Sequence, residues 1–133
     1  MRFDEIGYDR DATTYKNYLN QHRAIDYMNR AIDLASRGNL NSALTAAEKS
    51  RELAPDSVEV LVELAEISRS FALETEDPQM RTRVLTSAGT VLDEALAIEP
   101  NNVDAILSRA EVFRLSNDIE NALVLLKLSL IHI

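Results

Sequence analysis

The chain contains no cysteine. That excludes a disulfide framework, a thiolate metal site and a cysteine nucleophile, and it suits a reducing, cytoplasmic setting. There are only two histidines, His22 and His132, so a histidine general base or a multi-histidine metal centre is hard to assemble. No Gly-rich phosphate loop, Gly-x-Ser-x-Gly elbow or His-Glu-x-x-His pattern occurs. The expectation is a protein that is not an enzyme, with no catalytic residue, metal or cofactor. No uninterrupted apolar run is long enough to span a bilayer. The opening Met1-Arg2-Phe3-Asp4-Glu5 also lacks the apolar core of a signal peptide. Glycine and proline are scarce, at three each.

What the 133 residues do contain is alanine, leucine, glutamate and arginine in quantity, which favours helix over strand. The length suits one domain, and the fold class expected is all-α. Fourteen basic residues against twenty-two acidic ones leave a net charge of -8. Such a field repels nucleic acid and anionic membranes and favours a basic partner.

Two segments echo one another, Glu52-Leu53-Ala54-Pro55-Asp56 and Ala97-Ile98-Glu99-Pro100-Asn101. Alanines recur with them: Ala31, Ala65 and Ala110 in one set of helices, and Ala43, Ala88 and Ala122 in the other. The first set is spaced 34 then 45 residues apart and the second 45 then 34. One 11-residue insertion between Ala65 and Ala88 reconciles the two series, leaving an underlying period of 34 and a longer middle hairpin. Eleven residues are about three helical turns, so each helix of that hairpin can lengthen by about a turn and a half. Asp77-Pro78 is a helix start, Asp56 with Glu59 reads as a capping box, and Asn101 or Asn102 can cap the next pair. Gly38 suits a left-handed C-cap. Gly89 falls inside a helix, where close packing is the expected reason for it.

A 34-residue period resolved into two helices resembles the tetratricopeptide repeat. Tyr27, Ala31, Leu34, Gly38, Ala43, Leu53 and Pro55 fill its slots in the first unit. Leu61, Leu64, Ala65, Ala88, Leu92, Ala95, Ile98 and Pro100 do so in the second, and Ile106, Ala110, Phe113, Asn117, Ala122 and Leu126 in the third. Arg30 and Arg109 stand where leucine is usual, Ser68 where an aromatic is usual and Ala47 where a bulky residue is usual; each is expected to weaken local packing. The resemblance implies a right-handed α-solenoid with repeats at about 24–57, 58–102 and an incomplete 103–133. Ahead of them a loose tail over 1–13 and a leading helix from Thr14 are expected, with Tyr8, Tyr15 and Tyr18 either capping the first repeat or forming an interaction patch.

The last helix is apolar nearly all round, from Ile119 through Ala122, Leu123, Val124, Leu125, Leu126 and Leu128 to Leu130 and Ile131. Such a helix needs cover on both sides. Leu128-Ser129-Leu130-Ile131-His132-Ile133 is also the in-frame translation of CTGTCTCTTATACACATC, the transposon end used to tag sequencing libraries. The expectation is that Lys127 is the last native residue and that further repeats follow; the alternative is a helix end that pairs with a second copy in a homodimer.

By the same resemblance the first helices line a concave, peptide-binding groove: Ile25, Met28, Asn29 and Ile32, then Glu59, Val62, Glu63, Glu66 and Arg69, then Asp104, Leu107, Ser108, Glu111 and Arg114. Family members that grip acidic chaperone tails use a basic carboxylate clamp here, of which only Asn29 is kept. Glu63, Asp104 and Ser108 occupy the other slots, so the partner expected is a protein or peptide with basic residues and apolar anchors. Glu59, Glu63 and Glu66 stack on one helix, where they read as charge, not as a metal site. Leu73–Asp77 is acidic and Gln79–Arg83 basic, which favours two helix ends over a dedicated binding loop. The function implied is an adaptor or scaffold; alternatives are the helical portion of a longer enzyme or a self-associating module. Resequencing the source gene past the Lys127 codon is expected to read further repeat-coding sequence, and a stop codon there would sink the truncation.

Overall fold

A computed structural model describes residues 3–132, and the surroundings of side chains from 12 to 131. Among them are six helices and no strand: α1 Phe3–Ser36, α2 Leu40–Leu53, α3 Val58–Glu74, α4 Pro78–Ile98, α5 Val103–Leu115 and α6 Ile119–His132. Consecutive helices pack as three hairpins, α1 with α2, α3 with α4 and α5 with α6. Each hairpin docks on the next through α2 against α3 and α4 against α5. The first helices also touch one another, α1 to α3 and α3 to α5, whereas α2 and α4 do not meet through their backbones. The array therefore curves, with α1, α3 and α5 on its inner side.

Small residues set the closeness of these crossings. Ala31, Ala43, Ala65, Ala88, Ala110 and Ala122 are all buried, which lets neighbouring helices approach to where larger residues on the same stripe interlock. Leu61 and Leu92, each completely buried, fill the space between them. Ala47 is fully buried as well, so a small residue at that slot closes the α2 crossing instead of loosening it. The Ser68 hydroxyl, also buried, donates to the Leu64 carbonyl at 2.8 Å.

The turns follow from their residues. Gly38, at φ +82°, ends α1 with paired bonds from its own N–H to Ala35 O and from Asn39 N–H to Leu34 O. Asn117, at φ +65°, ends α5 in the same way, bonding to Arg114 O while Asp118 N–H bonds to Phe113 O. Both are Schellman closures, which require the left-handed conformation that Gly and Asn adopt most readily. The middle hairpin turns differently. Thr75 is extended, and Arg81 reaches back from α4 to donate to the carbonyls of Ala72 at 3.0 Å and Thr75 at 2.7 Å. Asp77 caps α4 by accepting from Gln79 N–H at 3.0 Å, with Pro78 opening the helix. Asn102 caps α5 through Ala105 N–H at 2.9 Å.

Several expectations are corrected. Ser57, not Asp56, caps α3, accepting from Val60 N–H at 3.3 Å; the helix starts one residue later than the Asp56–Glu59 box requires. The insertion does not divide evenly: α3 has 17 residues against 13 in α5, and α4 has 21 against 14 in α2. Four and seven residues each return to the same helical stripe, so both helices grow without turning their buried faces outward. At the N-terminal end, residues 3–36 form one 34-residue helix, so among the described residues no break separates the helix expected from Thr14 from the first helix of the first repeat. No proline interrupts Phe3–Ser36, and helix once nucleated propagates. Its N-terminal part runs on instead of folding over the first repeat, leaving Tyr15 and Tyr18 exposed, with Tyr18 edge-on to His22 at 5.9 Å. Met1, Arg2 and Ile133 lie outside the described residues, as does the side chain of Tyr8.

Arg109, which breaks the leucine pattern, and Gly89, which marks a close approach, meet in the fold. A Cβ built on Gly89 would stand 2.6 Å from an Arg109 guanidinium nitrogen. The guanidinium lies 3.9 Å from the centre of the Phe113 ring, and Arg109 Nε donates to Asp93 at 2.9 Å. Gly89 thus clears the space in which Arg109 bridges α4 and α5. Arg30, the other departure, lies over Tyr27 at 5.3 Å on the exterior. In urea unfolding, Gly89→Ala is expected to be neutral or destabilising in the native background, where it displaces the guanidinium. With Arg109→Leu already present it should stabilise by about 1 kcal/mol, the ordinary helix-propensity gain. Equal effects in the two backgrounds would contradict the contact.

Candidate peptide-binding surface

The inner side of the array holds a depression of about 590 Å³ between α3 and α5, with the inner edge of α6 at one end. It gathers nine of the expected groove residues: Val62, Glu63, Glu66 and Arg69 from α3, and Asp104, Leu107, Ser108, Glu111 and Arg114 from α5. These positions recur at three- and four-residue spacing, which puts them on one face of each helix. The contact of α3 with α5 turns the two faces toward each other.

The remaining expected residues lie elsewhere. Ile25 and Glu59 border a second depression of about 660 Å³, where α1 passes the turn from α2 to α3. Asn29 and Ile32 are exposed on α1 and border neither depression. Met28 is not a surface residue. It is 6% exposed and packs in the core with Ala31, Ala43 and Leu61, because α3 covers that edge of α1. Three further residues, Ala110, Ala122 and Leu126, line the first depression. Attention to first helices alone passes over the two on α6, although Ala122 and Leu126 share a stripe at i, i+4 spacing.

Charge in the depression is largely organised. Arg69 pairs with Glu66, and Arg114 with Glu111. Ser108 Oγ donates across the gap to Glu66, joining α5 to α3. The hydrogen bond from Arg114, aided by its charge and that of Arg69, holds the Glu111 carboxyl below its ordinary range against some desolvation. Glu63 moves the other way. Burial first, then the nearby negative charges of Glu66 and Asp104, push its pKa up. Apolar walls of Val62, Leu107, Ala110 and Leu126 adjoin these charges. The arrangement can accept apolar side chains beside a cationic one, and among the described residues no three metal-ligating groups converge.

No family model matches the chain, and no curated protein matches it. Among solved structures, the crystal structure of a thermophilic TPR protein from Thermus thermophilus is similar, with a TM-score of 0.48 and 20% identity over 80% of this chain and 73% of that one.

A carboxyl whose pKa is raised by folding keeps its proton to higher pH in the folded state than in the unfolded one. Its favourable contribution is complete below the unfolded pKa and is lost as pH rises through the folded value. Glu63→Gln is therefore expected to raise the thermal midpoint at pH 7, with the gain vanishing below the ordinary glutamate range, roughly pH 4.3. An equal effect at pH 4 and pH 7 would show that ionisation of Glu63 is not its cause.

Proposed function

We propose that this chain is a protein-interaction module, an adaptor or scaffold, that holds an extended peptide or a partner helix against its concave side. The repeat units are about 24–57, 58–102 and 103–133. The observation that carries this reading is the convergence of nine residues from α3 and α5 on one open depression with both apolar and charged walls. Peptide grooves need that mixture: apolar pockets supply affinity and a few fixed polar groups supply orientation.

The partner is basic with apolar anchors. The net charge of -8 and the excess of carboxylates in the depression favour cationic ligands and oppose nucleic acid and anionic lipid alike. Among the described residues no helix is long and apolar enough to cross a membrane. A cytoplasmic setting is in keeping with the absence of cysteine.

Leu107 is the point of attack for a test, being exposed on the inner side of α5 and lining the depression. Selection from a random peptide display library is expected to enrich a binding motif with the native chain. Leu107→Glu should abolish that enrichment while leaving the helical circular dichroism unchanged. Substituting Lys49→Glu, on α2 and away from the depression, should leave it intact. Enrichment that survives Leu107→Glu, or no enrichment with the native chain, would count against the groove.

A further inference from the structure

Four carboxylates, Glu63, Glu66, Asp104 and Glu111, line the depression together with two guanidiniums, Arg69 and Arg114. Each guanidinium already pairs with a carboxylate, Arg69 with Glu66 and Arg114 with Glu111, while Arg69 Nε is left buried without a partner. Among the described residues, no cation lies within ion-pairing distance of Glu63 or Asp104. These two stand on opposite walls, one on α3 and the other on α5. Val62 precedes Glu63 and Leu107 lies one turn on from Asp104, so an apolar surface adjoins each unpaired carboxylate.

Long cationic side chains match that layout, because they bury an aliphatic stem along apolar surface and keep the charged head among polar groups. We propose that the depression seats one lysine or arginine side chain of a bound peptide, its head between Glu63 and Asp104 and its stem against Val62 and Leu107. The inference rests on the peptide-binding reading above and names the residue that the groove selects. An acidic anchor would meet two unpaired carboxylates, and a neutral one would leave them uncompensated.

The two counter-ions are not equivalent. Asp104 is exposed in the first turn of α5. Glu63 is half-buried, and its carboxyl is pushed up by burial and by Glu66 and Asp104. The charged groups around it are Glu66 and Arg69 from α3 and Asp104, Glu111 and Arg114 from α5, while α6 contributes only Ala122 and Leu126. A cation placed beside Glu63 favours its ionised form and expels its proton, so affinity for a basic peptide rises as pH climbs through the titration of Glu63.

Synthetic nine-residue peptide libraries whose central residue is fixed as lysine, arginine, norleucine or glutamate test the seat by fluorescence polarisation at low salt. The lysine and arginine libraries are expected to bind about tenfold more tightly than norleucine, with glutamate weakest. Glu63→Gln with Asp104→Asn, checked for folding by circular dichroism, should remove the preference for lysine without weakening norleucine binding. Glu63→Gln alone should flatten the rise in lysine affinity as pH climbs above the ordinary glutamate range, because the raised Glu63 carboxyl is then no longer there to titrate. A lysine preference that persists in the folded double variant, or norleucine binding as well as lysine, overturns the seat while the groove stands. Binding of none of the libraries overturns both.

Discussion

Everything in this fold depends on how closely the two helices of a hairpin can approach where small alanines are buried on both of them. Ala31 with Ala43, Ala65 with Ala88 and Ala110 with Ala122 recur at matching places in three hairpins, and all are buried. With a methyl group at each crossing, the leucines and valines to either side interlock and fix the rotation of every helix about its axis. That rotation decides which residues face inward. Glu63, Glu66, Asp104 and Ser108 border one depression, while Ala65, on the same helix as the two glutamates, is buried in one cluster with Ala88 of its own hairpin.

Two residues that break helical and repeat conventions are best understood together. Glycine inside α4 and arginine in a leucine slot of α5 each look unfavourable alone, the one for its backbone freedom and the other for its charge. In the fold the missing side chain of Gly89 is the space occupied by the Arg109 guanidinium, which gains an aromatic face from Phe113 and a carboxylate from Asp93. An apolar contact between hairpins has been exchanged for a polar one with a fixed geometry. Arg51 and Glu94 make a comparable link on the outer side, at 2.7 and 2.8 Å.

The hairpin architecture is legible in the sequence because alanine spacing reports helix crossings directly. The unequal 34 and 45 spacings locate the longer hairpin, and Gly38 and Pro78 announce their own turns. Less visible is how the added length divides between α3 and α4, since four plus seven residues and an even split leave the same alanines in place. The cap at Ser57 is hidden by an equally plausible Asp56 next to it. Met28 is hard to place because its spacing from Ile25 and Ile32 puts it near the boundary of the inner face, and only the position of α3 decides which side of the boundary it falls on. Leu126 escapes notice for the same kind of reason: its relation to the depression depends on how two helices open away from each other.

The contact pattern of the helices has a mechanical consequence. Backbone packing runs continuously along α1, α3 and α5, whereas α2 and α4 are joined across the outer side by the Arg51–Glu94 ion pair alone among the described ion pairs. That strut is backed by a shared core: Ala43, Ala46 and Ala47 of α2 lie in one buried cluster with Leu61 and Leu64 of α3 and Val91 and Ala95 of α4. The middle helix therefore acts as a spacer, and the girth of its side chains sets how far apart successive outer helices stand.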